Sequence, residues 1–219
     1  MLPLSLELSR LRVALIGNGA PALRRLAWLD EAGAVGLRVF AAAPSPELAD
    51  AAGERLVRAW PGAAALRRTQ LIFIADVPAP KRRLLAQAAR RAGAILHVED
   101  APSLSDAQAP AVLRRGDLTL AVSTCGSAPG LAAELKDFLA GVIGPEWRGR
   151  LDRIAALRRE WQETGADHAT VRRLTAAQIG RYGWLKLHPV AVSANDRGIE
   201  KRDQQEEVCH DAETRRRRP

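Results

Sequence analysis

The residues with the plainest chemical meaning stand in a short turn near the N-terminus. Gly17-Asn18-Gly19-Ala20-Pro21-Ala22 fits G-x-G-x-x-[GA] directly after an apolar run and before a helical pattern. In that context Gly17 permits the tight turn, Gly19 admits the backbone to a diphosphate, and Ala22 lets helix and strand pack closely, with the anion at the helix N-terminus. A dinucleotide is the implied ligand; the plainer alternative is a glycine-rich strand-to-helix turn. A second constellation, His97-Val98-Glu99-Asp100-Ala101-Pro102, puts carboxylates just past the carboxyl end of another apolar strand, where open α/β sheets bind ligands. Asp100 is the candidate base there, against a turn or cap residue before Pro102. His97 reads by position as a core histidine, and Glu99 points away from Asp100 if the strand continues.

These groups need a scaffold, and 219 residues with 47% hydrophobic and 26% charged content can bury a sizeable core in one or two domains. Strands are expected at 11–16, 36–43, 71–75 and 94–98. Between them, 20–32 places Leu23, Leu26, Ala27 and Leu29 on one helical face, 46–56 is a weaker helical pattern, and 80–91 is amphipathic. Apolar strands alternating with helices predict an α/β fold, a doubly wound parallel sheet of the Rossmann type, over residues 1–112. A strand at 117–123 and a helix at 131–142 follow in a region, 113–146, too small to stand alone. Leu151, Ile154, Leu157 and Trp161 mark an amphipathic helix running from Trp147 to about Arg173, and 175–185 is one more, giving a helical C-terminal region at 147–185. From 186 to 219 the composition is polar and aperiodic, and a disordered tail is expected.

Composition excludes several classes. No apolar run reaches a membrane span and the N-terminus lacks the basic head and cleavage site of a signal peptide, so the expectation is a cytoplasmic protein without a membrane partner. Cys125 and Cys209 lack C-x-x-C spacing and support neither a disulfide framework nor a zinc site. The net charge is +8, nearly all of it before Lys186, which suits a polyanionic partner. Aromatics at 4% argue against stacking platforms, and the arginine pairs are interspersed with acids, so they read as solvated helix faces and no nucleic acid is expected. The second strand ends without an Asp or Glu for the ribose hydroxyls; Glu47 is the nearest acid and Arg38 the only nearby cation, which leaves NAD versus NADP open.

The order of these features resembles the precorrin-2 dehydrogenase and sirohydrochlorin ferrochelatase family, the module also found at the N-terminal end of siroheme synthases. The match begins at Leu2-Pro3-Leu4 and runs through Gly17-Asn18-Gly19, Ala22 and Arg24-Arg25, where the family has G-G-G, Ala and Arg-Lys. It continues at His97 to Pro102 for N-x-x-D-x-P, at Ala109-Pro110-Ala111, at Arg115-Gly116-Asp117-Leu118, and at Ser123 to Ala132 for S-T-G-G-x-S-P-x-L-A. It covers residues 2 to about 185. The resemblance implies an NAD-binding Rossmann domain, a dimerisation region at 113–146, a homodimer, and oxidation of precorrin-2 to sirohydrochlorin. Many members also insert ferrous iron. Asp100 would be the catalytic aspartate. Cofactor contacts would come from the 17–22 turn, Ala43, Pro44, Ala75, Asp76 and His97, and tetrapyrrole contacts from Ser123, Thr124, Gly126, Ser127 and Pro129. Eight substrate carboxylates would match the basic body. The methyltransferase fused to this module in larger siroheme synthases has no counterpart in the chain, so precorrin-2 is expected from a separate enzyme.

Several positions depart from the family pattern, Val77-Pro78 in place of Asp-Asp among them. His97 stands for Asn, Cys125 for a glycine of S-T-G-G, Ala128 for the Ser before Pro129, and Asp76 for Thr. Asp76 adds a negative charge near the nicotinamide pocket. Loss of the serine touches iron insertion more than dehydrogenation, with Ser127 as the neighbouring replacement. Packing accounts for His97 and Cys125 at least as well as a metal-binding pair, and no metal site is assigned. Two rivals remain open at this stage: another NAD(P)-dependent Rossmann oxidoreductase, and a non-catalytic tetrapyrrole or dinucleotide sensor.

Overall fold

Strands buried on both faces need no polar alternation, which is why the apolar runs are continuous. In β1 (Arg12–Ile16) Val13, Ala14, Leu15 and Ile16 are all buried, as is every residue of β4 (Leu71–Ile74). A computed structural model describes residues 2–185, and the chain divides into two compact units, one up to Gly149 and one from Arg150 onward. The first unit holds a five-stranded sheet in the order β3-β2-β1-β4-β5, with β2 at Gly36–Phe40, β3 at Leu56–Val57 and β5 at Ile95–Val98. Every pairing is parallel, so all carboxyl ends lie along one edge. The order reverses between β1 and β4, and the crevice there is where such sheets take ligands.

Helices cover both faces. Leu26 and Leu29 of α1 (Ala20–Glu31) and Leu48 of α2 (Pro46–Ala52) pack with Leu15, Val39 and Phe73. On the other face Leu66 of α3 (Ala63–Leu66) and Leu85 of α4 (Ala79–Arg91) pack with Ile16, Ile72 and Leu96. Within α1 the expected apolar face is shifted: Ala27 is exposed, while Ala22 is buried and Trp28 packs against the core. The short β3 and α3 were not anticipated.

The expected lone strand at 117–123 is one arm of an antiparallel hairpin. β6 (Ala111–Arg115) pairs with β7 (Leu118–Val122), and Gly116 makes the turn at φ +62°, a conformation that suits glycine. Arg115 then ties the hairpin to α5 (Pro129–Val142), its Nε donating to Ile143 O at 2.8 Å and its Nη2 to Ala140 O at 3.3 Å. These bonds satisfy carbonyls that the helix end leaves open.

The single helix expected from Trp147 to about Arg173 is two, α6 (Trp147–Glu163) and α7 (His168–Tyr182). Gly165 turns the chain at φ +86°, and the Asp167 carboxylate accepts from Thr170 N at 2.8 Å. These are an ordinary glycine stop and aspartate cap, and the helical apolar spacing simply resumes beyond them. In the second unit Trp184 stacks on Tyr182 at 4.5 Å, with Arg150 and Arg153 over the two rings. Residues 186–219, read above as a tail, lie outside the described residues. Among the described residues no helix is long and apolar enough to cross a membrane.

Candidate active site

An outer strand presents unpaired backbone groups, and β5 meets that constraint by folding the following chain back on itself. Leu96 O accepts from Asp106 N at 2.7 Å and Ala107 N at 3.1 Å, and Leu96 N donates to the Asp106 carboxylate at 3.2 Å. Val98 N donates to Ser105 Oγ at 2.9 Å, and that hydroxyl reaches Ala101 O at 3.1 Å. The chain must therefore reverse within a few residues of Val98. Ala101 N returns to Val98 O at 3.3 Å and Asp100 takes φ +56°, a left-handed conformation that aspartate tolerates better than most residues.

That reversal opens a cavity of about 280 Å³ between the end of β5 and the loop before α5. It brings together six residues of the expected site: His97, Asp100, Ser123, Thr124, Gly126 and Pro129. Glu99 lines it as well. The expectation that Glu99 and Asp100 point to opposite sides fails because the strand ends at Val98. Arg25, Ser105 and Gln108 also line the cavity and were not read as site residues.

Two of the lining residues, Arg25 and His97, pack on aromatic rings behind the cavity wall. Arg25 Nη2 lies 3.4 Å from Glu99 Oε1, and its guanidinium sits over Trp28 and Phe73 at 5.1 and 5.5 Å from the ring centroids. Phe73 in turn packs on His97 at 5.4 Å. Because a carbonyl can only accept, the 3.1 Å contact of His97 Nδ1 with Ala107 O puts the ring proton on Nδ1. Burial holds the imidazole below its ordinary pKa, more strongly than the Ala107 bond raises it, so the neutral ring keeps a lone pair on Nε2. Nε2 and Glu99 Oε2 are both buried without a hydrogen-bond partner. Orphaned polar atoms on the walls of a cavity mark a place for a ligand or water to complete.

The remaining expected contacts line the same sheet edge outside the cavity. A Cβ on Gly17 would drive into the Ala75 carbonyl and lie 2.8 Å from Ala22 Cβ, so the turn packs as a dinucleotide cradle should. Asn18 spends its side chain on structure: Oδ1 accepts from Ala43 N at 3.1 Å, while its carbonyl accepts from Ser45 N at 2.8 Å. This fastens the glycine turn to the loop through Ala43 and Pro44. Gly19 caps α1, which has no side-chain cap and has Pro21 in its first turn. The β1 to α1 turn is thus the part of the chain whose geometry suits a dinucleotide.

In the loop before α5, Ser123 Oγ accepts from Cys125 N and Thr124 Oγ1 from Ala128 N, each at 3.2 Å. Cys125 and Gly126 follow one another at φ +55° and +80°, which explains a preference for glycine at both. Neither Ser127, which is exposed, nor Ala128 lines the cavity. Cys125 is exposed too, away from the half-buried His97. Among the described residues no group of three or more His, Cys, Asp or Glu could hold a metal.

Comparison with known proteins adds to this geometry. Residues 4–111 match the family described as "Putative NAD(P)-binding". The siroheme synthase of Methylococcus capsulatus is 36% identical over 161 residues, 73% of this chain and 34% of that protein. The precorrin-2 dehydrogenase of Bacillus subtilis is 29% identical over 164 residues, 73% of this chain and 99% of that one. The chain belongs to the siroheme synthase and precorrin-2 dehydrogenase family. It spans about a third of the length of the siroheme synthases it matches. The solved structure of "SirC, precorrin-2 dehydrogenase" superposes with a TM-score of 0.68 at 20% identity, over 94% of this chain and all of that one, which establishes the common fold. The match over residues 4–111 supports a nicotinamide dinucleotide as the cofactor.

Because the folded chain holds His97 below its unfolded value near 6.5, the unfolded state takes up the proton first as pH falls. Stability is fully present above about pH 6.5 and is lost progressively below it, down to the folded-state value. Thermal melts from pH 8 to 5 are expected to show a steeper decline for the wild type than for His97→Asn; parallel curves would contradict this.

Proposed function

We propose that the chain is a homodimeric, cytoplasmic dehydrogenase that oxidises precorrin-2 to sirohydrochlorin with NAD as the oxidant. The observation that carries the reading is the cavity itself: Asp100, from the end of β5, faces Ser123 and Thr124 across a space on the carboxyl edge of a dinucleotide-binding sheet. The names of the relatives supply the substrate. The bound nicotinamide would supply a hydride acceptor. Loss of hydride extends conjugation only if a proton leaves as well, and the Asp100 carboxylate takes that proton and later returns it to solvent. The products are sirohydrochlorin, NADH and one released proton.

NAD rather than NADP is favoured by the state of Arg38. The guanidinium of this cation is bonded to Ala65 O and lies over Phe40 at 5.2 Å, so it is engaged rather than open to a ribose phosphate. Arg25 is the cation on the cavity wall and suits a substrate carboxylate. A cavity of about 280 Å³ lies at the small end of ligand pockets and takes one edge of a macrocycle; a second copy of the chain would complete it. Leu131, Leu135 and Phe138 support that arrangement: they follow one another along α5 and are 54%, 41% and 55% exposed, an apolar stripe that self-association would cover. Ferrous iron is a further substrate in the wider family, but the loop at Ala128 offers it no added ligand.

Two outcomes are expected. Anaerobic turnover of precorrin-2 with NAD yields NADH mole for mole, and Asp100→Asn lowers kcat by about 100-fold or more with NAD affinity unchanged; a variant of near-normal kcat would remove Asp100 from the chemistry. Leu135→Glu with Phe138→Glu shifts the sedimentation coefficient from dimer to monomer, and an unshifted dimer would place the interface elsewhere.

A further inference from the structure

Asp76 occupies a place that a dinucleotide-binding turn ordinarily leaves open. It stands two residues past the end of β4, after Ala75, in a left-handed conformation at φ +55°, and its side chain is exposed at the carboxyl edge where the strand order reverses. A Cβ built on Gly19 would lie 2.5 Å from Asp76 Oδ2 and 3.5 Å from Cγ. The carboxylate therefore rests against the glycine whose missing side chain exists to admit a diphosphate. Gly19 is also the N-cap of α1, whose first turn holds no acidic residue and no side-chain cap. The amide-rich end of that 12-residue helix already faces an anion, one supplied by the chain itself.

We propose that Asp76 sets the affinity of this site for its dinucleotide. The carboxylate stands in for a diphosphate oxygen in the ligand-free chain and must swing aside, against like-charge repulsion, when the cofactor enters. The inference rests on the cofactor reading above and goes beyond it. It assigns to one residue of this chain a weakly held, readily exchanged cofactor, consumed and released in each cycle rather than retained. The crevice offers the carboxylate no compensating cation, since none of the ion pairs found among the described residues involves Asp76.

Titration calorimetry of the full chain with NAD, without tetrapyrrole, tests this. Asp76→Asn keeps the shape and removes the charge; it is expected to lower the Kd for NAD about tenfold, the low end of the repulsion between exposed like charges a few ångströms apart. ADP-ribose, which carries the diphosphate without the nicotinamide, should gain equally, and the advantage of the variant should shrink as ionic strength rises. Asp76→Thr, which also shortens the side chain, is the second variant and should gain at least as much. Unchanged or weaker binding by both variants, with the wild type still binding, overturns the role of Asp76 and leaves the cofactor reading standing. No binding of NAD by wild type or either variant at millimolar concentration overturns the cofactor reading and this inference with it.

Discussion

The backbone groups along the outer edge of β5 must be satisfied, and the way they are satisfied builds the site. Residues 105–107 provide the partners, with the Ser105 hydroxyl and Asp106 carboxylate substituting for a sixth strand. A sixth parallel strand would have needed a crossover of a dozen residues or more. The actual return takes seven, from Val98 to Ser105, and leaves Asp100 no choice but the outside of a tight reversal. The same segment delivers Gln108 to Ala111 to the far wall and leads into the hairpin, after which the loop before α5 forms the side of the cavity opposite Asp100. The geometry of the cavity here follows from edge protection.

Around that carboxylate the charges are arranged in opposition. Arg25 is shared between Glu99 and two aromatic faces, and His97 stays neutral under burial. The cavity thus carries the Arg25 guanidinium on the same lining as the exposed Asp100 carboxylate, while the buried His97 Nε2 and Glu99 Oε2 atoms leave hydrogen-bond capacity unused. The cofactor crevice is opposed in the same manner: a helix N-terminus built for phosphate faces the side chain of Asp76. Three of the four non-glycine residues at positive φ, Asp76, Asp100 and Cys125, lie on loops that border these two spaces; such conformations gather where function constrains the backbone.

Much of this was legible in the residues. Strands buried on both faces announce themselves as apolar runs, so β1, β2, β4 and β5 were found within a residue or a few, and the glycine turn followed from its place between strand and helix. β3 has two residues and leaves no period to read. β6 was missed because Ala111-Val112-Leu113 gives way to Arg114-Arg115 on a hairpin only partly covered, and no continuous run results. The break between α6 and α7 was written at Gly165 and Asp167, but the apolar spacing on either side masked it. In the site, Asp100 and the Ser123 loop could be picked out because local motifs surround them. The pairing of Arg25 with Glu99 spans 74 residues, and local pattern carries no trace of it; Arg25 looked like one more helix-surface cation. Ser127, read from the same motif, lies outside the cavity.

The claim on which the account stands is that the reactive end of a pyridine nucleotide comes to rest beside Asp100. A crystal structure of the chain with NAD is the direct test. The account predicts the diphosphate at the Gly17 to Ala22 turn and the nicotinamide ring in the cavity, within hydrogen-bond or one-water reach of the Asp100 carboxylate. A ring held elsewhere, or a bound dinucleotide with Asp100 turned out of the cavity, would contradict it.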